Sequence, residues 1–304
     1  MRDLGKTLYN LANVHEILGY EVLGTLGFGA RSTIYAVKDK DHQVYALKRV
    51  VKETASDQRF LDQAILEHEV ASKFDHPVLR KSYKLIRQRK LIATSEVYVL
   101  MEMVDGLTFE QYRAPDFGHL CRLCQQVAEG LGAMHDAGFV HADIKPNNIL
   151  VSENDRIKLI DFGQSCPIGT VKARIQGTPD YIAPEQVLRK EITPQTDVFN
   201  LGATLYWLLT SQHVPTLIPR GEPGLSFRQK EACPPPREVN PRVTPALSAL
   251  VMSCIQTEPR DRPANMTEVH ERLAVAITQF AREASGDSHA GNGGAGGNGQ
   301  GSGI

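Results

Sequence analysis

His141-Ala142-Asp143-Ile144-Lys145-Pro146-Asn147-Asn148-Ile149-Leu150 sets a carboxylate, an ammonium and an amide side chain close together between apolar residues. A second acidic group follows in Asp161-Phe162-Gly163, directly after the apolar strand Ile157-Lys158-Leu159-Ile160. Amide and carboxylate oxygens from Asn148 and Asp161 suit a hard, oxygen-seeking cation such as Mg²⁺. Asp143 is the residue of the loop suited to orient an incoming hydroxyl and accept its proton.

Upstream, Gly27-Phe28-Gly29 is followed by Ser32 and Ile34 in a strand-turn-strand setting, where glycines let a backbone approach phosphate oxygens closely. Without a third glycine the run also reads as a plain hairpin. Lys48 changes that balance. It lies in the apolar strand Val44-Tyr45-Ala46-Leu47-Lys48-Arg49-Val50, where a lone lysine needs a reason, and Glu67 follows on a helix as a partner for it. Backbone donors, a held lysine, a carboxylate near a hydroxyl and oxygen ligands for a cation are the parts that phosphoryl transfer needs, and they come in that order.

The whole chain sets bounds. Its 304 residues, 41% hydrophobic and 23% charged, suffice for one large or two medium domains with a real core. Lys and Arg total 34 against 35 Asp and Glu, so no bulk attraction to nucleic acid or anionic membrane is expected. Met1 to Tyr20 has charged residues spread through it and no apolar signal core, and the apolar run at Leu201 to Leu209 is too short for a membrane segment. A cytoplasmic location is the expectation. Five cysteines argue against a disulfide framework. Cys121-x-x-Cys124 lies in a helically periodic run with no further ligands at zinc-like spacing, and reads as core thiols rather than a metal or redox pair.

Four segments are expected: an extension over 1–19, a β-rich lobe over 20–104, a helical lobe over 105–283 and a tail over 284–304. Leu4, Leu8 and Leu11 have helical spacing in the extension. The β-rich lobe contains one helical stretch, about Asp57 to Lys73, stopped by Asp75-His76-Pro77. Helices in the larger lobe are read at Cys121 to Ala137, Asp197 to Thr210, Ala246 to Gln256 and Met266 to Glu283. The tail is Gly-, Asn- and Ser-rich with almost no apolar content, and reads as disordered or a linker.

With these motifs in order, the sequence from about Tyr20 to about Gln279 resembles the eukaryotic-type, or Hanks-type, protein kinase family, most closely its bacterial Ser/Thr members. Gly177-Thr178-Pro179-Asp180-Tyr181 before Ala183-Pro184-Glu185, Asp197 and Arg262 extend the match. The resemblance implies an α+β fold of two lobes with ATP in the cleft between them, ATP with Mg²⁺ or Mn²⁺ as cofactors, and a protein substrate with a Ser or Thr acceptor. By position it implies that Leu26, Ile34 and Ala46 roof the adenine and Leu150 floors it. Met101 would be the gatekeeper, with Glu102 and Val104 supplying hinge backbone groups. Lys48, Glu67, Asp143, Lys145 and Thr178 would form the catalytic set, with Gly27 and Gly29 over the phosphates and Asn148 and Asp161 holding the metal. Glu185 would pair with Arg262, and Asp197 would hold the catalytic loop.

The chain departs from the family pattern at Ser32, where the Gly-rich turn lacks its third glycine, and at three further places. Ala142 stands where an arginine usually gathers an activation-segment phosphate, and Arg174, with Lys172 nearby, stands where that phosphorylated threonine usually lies. Receptor and donor being lost together, an active enzyme without a phosphate switch is expected. Ala71 and Ser82 replace larger apolar groups behind the Glu67 helix, which suggests a loosely seated helix and a partner or dimer contact on it. Thr108 and Asn147 replace the acidic residues that read basic substrates. The alternatives are a pseudokinase, a small-molecule kinase of the aminoglycoside or choline type and, last, an interaction module. Ser165, Thr170, Ser285 and Ser288 are the candidate sites of autophosphorylation.

Overall fold

The computed structural model describes residues 15–29, 31–90, 93–215 and 233–290. The helix read from Leu4, Leu8 and Leu11, and most of the Gly-rich tail, lie outside the described residues.

The first lobe is built on one antiparallel sheet. Its strands are β1 (Glu16–Ile17), β2 (Tyr20–Phe28), β3 (Ser32–Lys38), β4 (Val44–Val51), β5 (Ser82–Lys90) and β6 (Ala93–Glu102), in the order β1-β2-β3-β4-β6-β5. The period-2 alternation of β4 divides its side chains between two apolar clusters. Ala46 and Val50 pack with Val97, Val99 and Met101 beneath the sheet, whereas Tyr45 and Leu47 pack with Val37, Tyr98 and Leu100 on the opposite face. Lys48 shares the parity of Ala46 and Val50, so the pleat alone aims it at the helix side.

That helix, α1 (Gln58–Ala71), lies against β4, β5 and β6. Asp57 fixes its entry by accepting hydrogen bonds from the backbone N–H groups of Thr54 at 2.8 Å and Glu53 at 3.1 Å. Leu61, Ala64, Val70 and Ala71 form its buried stripe, and Glu67 lies in the same stripe. A carboxylate there must find cations.

The larger lobe is helical. Its elements α2 (Phe117–Asp136), α3 (Pro184–Val187), α4 (Pro194–Thr210), α5 (Pro236–Val239), α6 (Pro245–Cys254) and α7 (Met266–Ala290) surround one core, with α2 running along α7 and α4 against α6. A small sheet of β7 (Leu107–Thr108), β9 (Ile149–Val151) and β10 (Ile157–Leu159), in the order β10-β9-β7, lines its upper edge. The expected two-lobed α+β fold is the one observed. Short pairs complete it, β8 (Phe139–Val140) with β11 (Cys166–Pro167) and β12 (Thr170–Val171) with β13 (Glu191–Ile192). Among the described residues no helix is long and apolar enough to cross a membrane.

Several helices begin earlier than their apolar periodicity predicts. α2 starts at Phe117 because Asp116 accepts a hydrogen bond from the His119 backbone at 2.7 Å, and α4 and α6 start at prolines that follow Thr193 and Thr244. α7 runs past the expected end at Glu283 to Ala290. Cys121 and Cys124 are buried free thiols on α2, and burial pushes Cys121 up to about 12, far from the reactive thiolate range.

Candidate active site

The loop from β8 to β9 carries the opening motif, and its shape is imposed from below. Asp197, fully buried on α4, accepts hydrogen bonds from the backbone N–H of His141 and of Ala142, both at 2.8 Å, and from His135 Nε2 at 2.9 Å. Burial works against its charge, but these partners hold its carboxyl below the usual range. Anchored this way, Ala142 takes a left-handed φ of 60°, a conformation that non-glycine residues adopt rarely.

Asp143, the next residue, is 7% exposed and satisfied on both oxygens. Oδ2 accepts from Lys145 Nζ at 2.9 Å and from Asn148 Nδ2 at 3.2 Å, while Oδ1 accepts from Thr178 Oγ1 at 2.9 Å and from the Thr178 backbone N–H at 3.1 Å. Lys145 Nζ also donates to Thr178 Oγ1 at 2.8 Å, so the hydroxyl lies between carboxylate and ammonium. Asn148 Nδ2 donates further to the Asp143 carbonyl at 2.8 Å, which leaves the amide oxygen as the atom to offer a cation.

Lys48 Nζ donates to Glu67 Oε2 at 2.6 Å, and Glu67 is 1% exposed. Burial opposes the Lys48 charge, but Glu67 and Asp161 outweigh it and raise its pKa above the ordinary lysine value. Burial likewise opposes the Asp161 charge, and Lys48, Lys145, His141 and Arg80 outweigh it, so Asp161 stays ionised. Asp161 also has a left-handed φ, 65°, at the end of β10. The following Phe162 is fully buried against the His141 ring, 5.4 Å between centroids. A Cβ on Gly163 would come within 2.7 Å of Gln63 Cγ, which shows how closely α1 approaches this turn. A carboxylate held ionised and an amide oxygen held in place fit a Mg²⁺ ion, which takes few protein ligands and keeps water or phosphate oxygens for the rest.

The turn between β2 and β3 closes through Gly29 N–H to the Ser32 carbonyl at 2.7 Å. A Cβ on Gly27 would meet no protein atom within 4 Å, so packing does not require the glycine there. Leu26 and Ile34 pack with Ala46 and Met101 in one cluster, and Ala46 pairs with Met101 across β4 and β6. Leu150 on β9 and Val104 beyond β6 are half-buried and stand outside that cluster. Glu102 is tied down by its side chain, which accepts from Lys158 Nζ and the Lys81 backbone at 2.8 and 3.1 Å.

Two residues that the sequence did not single out are part of this arrangement. Arg80 donates to Glu67 Oε1 at 2.8 Å. Gln186, after Ala183-Pro184-Glu185, donates to the Ala142 carbonyl at 2.9 Å and accepts from the Ala183 backbone at 2.9 Å. Both are buried, and no local pattern marks them, since Arg80 is followed by Lys81 and Ser82 and Gln186 is preceded by Glu185.

The family model described as the protein kinase domain matches residues 20–273. Among similar proteins, serine/threonine-protein kinase PknB of Mycolicibacterium smegmatis is 29% identical over 84% of this chain and 43% of its own length. Serine/threonine-protein kinase PrkC of Bacillus subtilis is 28% identical over 85% of this chain and 40% of its own length. Serine/threonine-protein kinase PknL of Mycobacterium tuberculosis is 31% identical over 86% and 66% respectively. The chain thus spans less than half the length of the first two.

Proposed function

Because this chain belongs to the protein kinase family, whose members in general use ATP and Mg²⁺, we propose that it transfers the γ-phosphoryl group of ATP to Ser or Thr hydroxyls of a protein substrate. The observation that carries this reading is the Asp143–Lys145–Thr178 triangle, with all three edges between 2.8 and 2.9 Å. Asp143 orients the acceptor hydroxyl and takes its proton, and Lys145 meets the charge that develops on the transferring phosphoryl group. Lys48, held by Glu67, clamps the phosphates from above, and Gly27 and Gly29, having no side chain, let the turn between β2 and β3 come close to them. Asn148 and Asp161 would hold Mg²⁺ or Mn²⁺, which when bound neutralises phosphate charge. A purine ring between the Leu26–Ile34–Ala46 roof and Leu150 would bridge surfaces that otherwise do not meet, with Met101 behind it and the Glu102 and Val104 backbone at its edge. Use of ATP, together with free thiols, favours a cytoplasmic location.

Incubation with γ-labelled ATP, Mg²⁺ and a general protein acceptor tests the reading. Label is expected on phosphoserine or phosphothreonine, and phosphotyrosine as the main product, or no transfer at all, would overturn it. Of the candidate autophosphorylation sites, Ser165 is 1% exposed and donates toward the His141 carbonyl, so it is not open to modification in this conformation. Thr170 and Ser285 are accessible at least in part.

We further propose that the activation segment needs no phosphate. Backbone pairing supports it in place of a phosphate clamp, through β11 on β8, β12 on β13, and Gly169 N–H to the Ile192 carbonyl at 2.8 Å. Lys172 Nζ donates to the Gln164 carbonyl, Arg189 to the Ala173 carbonyl at 3.1 Å, and Gln186 joins Ala142 to the Gln176 carbonyl. Ala142 is fully buried among Val140, Cys166 and Ile192, and Lys172 lies beside Cys166 with its pKa lowered chiefly by burial. Phosphatase treatment is therefore expected to change the rate by no more than about twofold, where switched kinases change by orders of magnitude. Ala142→Arg should lower the melting temperature, because its guanidinium must enter an apolar pocket beside a lysine. Loss of activity on dephosphorylation would show that another residue, Thr170 first, carries a switch.

A further inference from the structure

Arg80 follows the buried pair Val78–Leu79 and is itself 9% exposed. Its main chain and side chain face two different parts of the candidate site. The backbone N–H donates to the Leu159 carbonyl at 3.0 Å, and Leu159 N–H returns a bond to the Val78 carbonyl at 2.7 Å, so this segment is stitched to β10 just ahead of Asp161. The guanidinium donates from Nη2 to Glu67 Oε1 at 2.8 Å, while Lys48 occupies Glu67 Oε2. Glu67 is thus gripped on both oxygens, by the sheet through Lys48 and by the segment joined to β10 through Arg80.

This grip occupies the place where the sequence looks weakest. Ala71 on α1 and Ser82 on β5 give little apolar support behind the helix, yet Ser82 Oγ lies 2.8 Å from His68 Nδ1, and Arg80 reaches Glu67 one turn away. Around Glu67 and His68 the seat of α1 is polar. Lys48 and Arg80 are the two cations hydrogen-bonded to Glu67, and removal of Arg80 would leave its second carboxylate oxygen without a partner.

We infer that Arg80 is a positioning residue that fixes Glu67, and with it Lys48 and α1, at a set distance from β10 and the Asp161 turn that follows it. It takes over the role that larger apolar side chains at residues 71 and 82 would otherwise fill. The inference rests on the kinase reading for its effect on turnover, but not for its effect on α1.

The experiment compares Arg80→Met, Arg80→Lys, Glu67→Gln and Arg80→Met/Glu67→Gln in the full chain. Loss of a buried hydrogen bond between charged groups should lower kcat/KM for ATP in Arg80→Met by about tenfold to about a hundredfold. Arg80→Lys should recover part of that loss. In the Glu67→Gln background the same Arg80→Met change should cost less than about twofold, because the group through which Arg80 acts is already weakened. Equal losses in both backgrounds, or no loss in either, would overturn the inference. Amide hydrogen exchange without nucleotide gives a second readout that needs no activity. Exchange across residues 58–71 should quicken in Arg80→Met while α2 and α4 keep their protection. Uniformly faster exchange would mark Arg80 as a general packing residue and overturn its positioning role. If the parent shows no transfer, the kinase reading fails, and the exchange result still decides whether Arg80 seats α1.

Discussion

Replacing Asp143 by asparagine is expected to lower phosphoryl transfer on the order of 10³-fold while the protein remains folded and still binds nucleotide. Asparagine keeps the size of the side chain but has one acceptor oxygen in place of two. In the parent, Lys145 and Asn148 converge on one carboxylate oxygen and the two Thr178 donors on the other. An amide NH₂ must therefore face one of these donor pairs, which misplaces either Lys145 or Thr178, and no basic group remains to take the hydroxyl proton. Single-turnover assays with labelled ATP, run beside nucleotide binding by fluorescence titration, separate lost chemistry from lost affinity. Turnover within about tenfold of the parent would remove Asp143 from the role of base.

Glu185→Ala should be the most destabilising of the single changes considered. Arg262 donates to Glu185 from Nη1 at 2.7 Å and from Nη2 at 2.8 Å, with both side chains essentially sealed from solvent. The guanidinium also donates to the carbonyls of Gln195, Gln256 and Thr257 and stacks on Phe199 at 4.9 Å, so it cannot leave to find water. Removal of the carboxylate strands a buried cation, at a cost of about 3–5 kcal/mol. That is a large share of a total stability of about 5–15 kcal/mol, and corresponds to a fall of roughly 10 °C in melting temperature. Thr196, which donates to Glu185 Oε1 at 2.8 Å, loses its acceptor too. Arg262→Met added to Glu185→Ala should restore part of the loss, since a neutral side chain no longer needs a counter-charge. Calorimetry of both variants beside the parent checks this, and a Glu185→Ala protein that melts within about 2 °C of the parent would show that the pair contributes little.

The sequence by itself determined the two-lobed α+β fold of a protein kinase domain. Strand alternation put Lys48 on the face of Ala46 and Val50, helical periodicity put Glu67 in the stripe of Leu61 and Ala64, and both follow from local backbone geometry. Helix starts were read late at α2, α4 and α6, because periodicity registers buried residues, whereas side-chain caps at Asp116 and Thr244 and the prolines that open α4 and α6 fix the first turn.

Tertiary structure alone decided how the loops are held. The left-handed φ of Ala142 depends on a partner far along the chain, Asp197, beneath the loop from β8 to β9. The seat of α1 is the sharpest case. Ala71 and Ser82 read as an absence of support, because a pattern of apolar residues shows where side chains can be buried but not which charges will meet. Arg80 and Glu67 lie on different elements, and only the packing of α1 against the segment joined to β10 brings guanidinium and carboxylate within 2.8 Å. No local pattern marked Arg80, which is followed at once by Lys81 and Ser82. Its partner was fixed by the fold, since hydrogen bonding needs a distance and a direction that no one-dimensional spacing between separate elements contains.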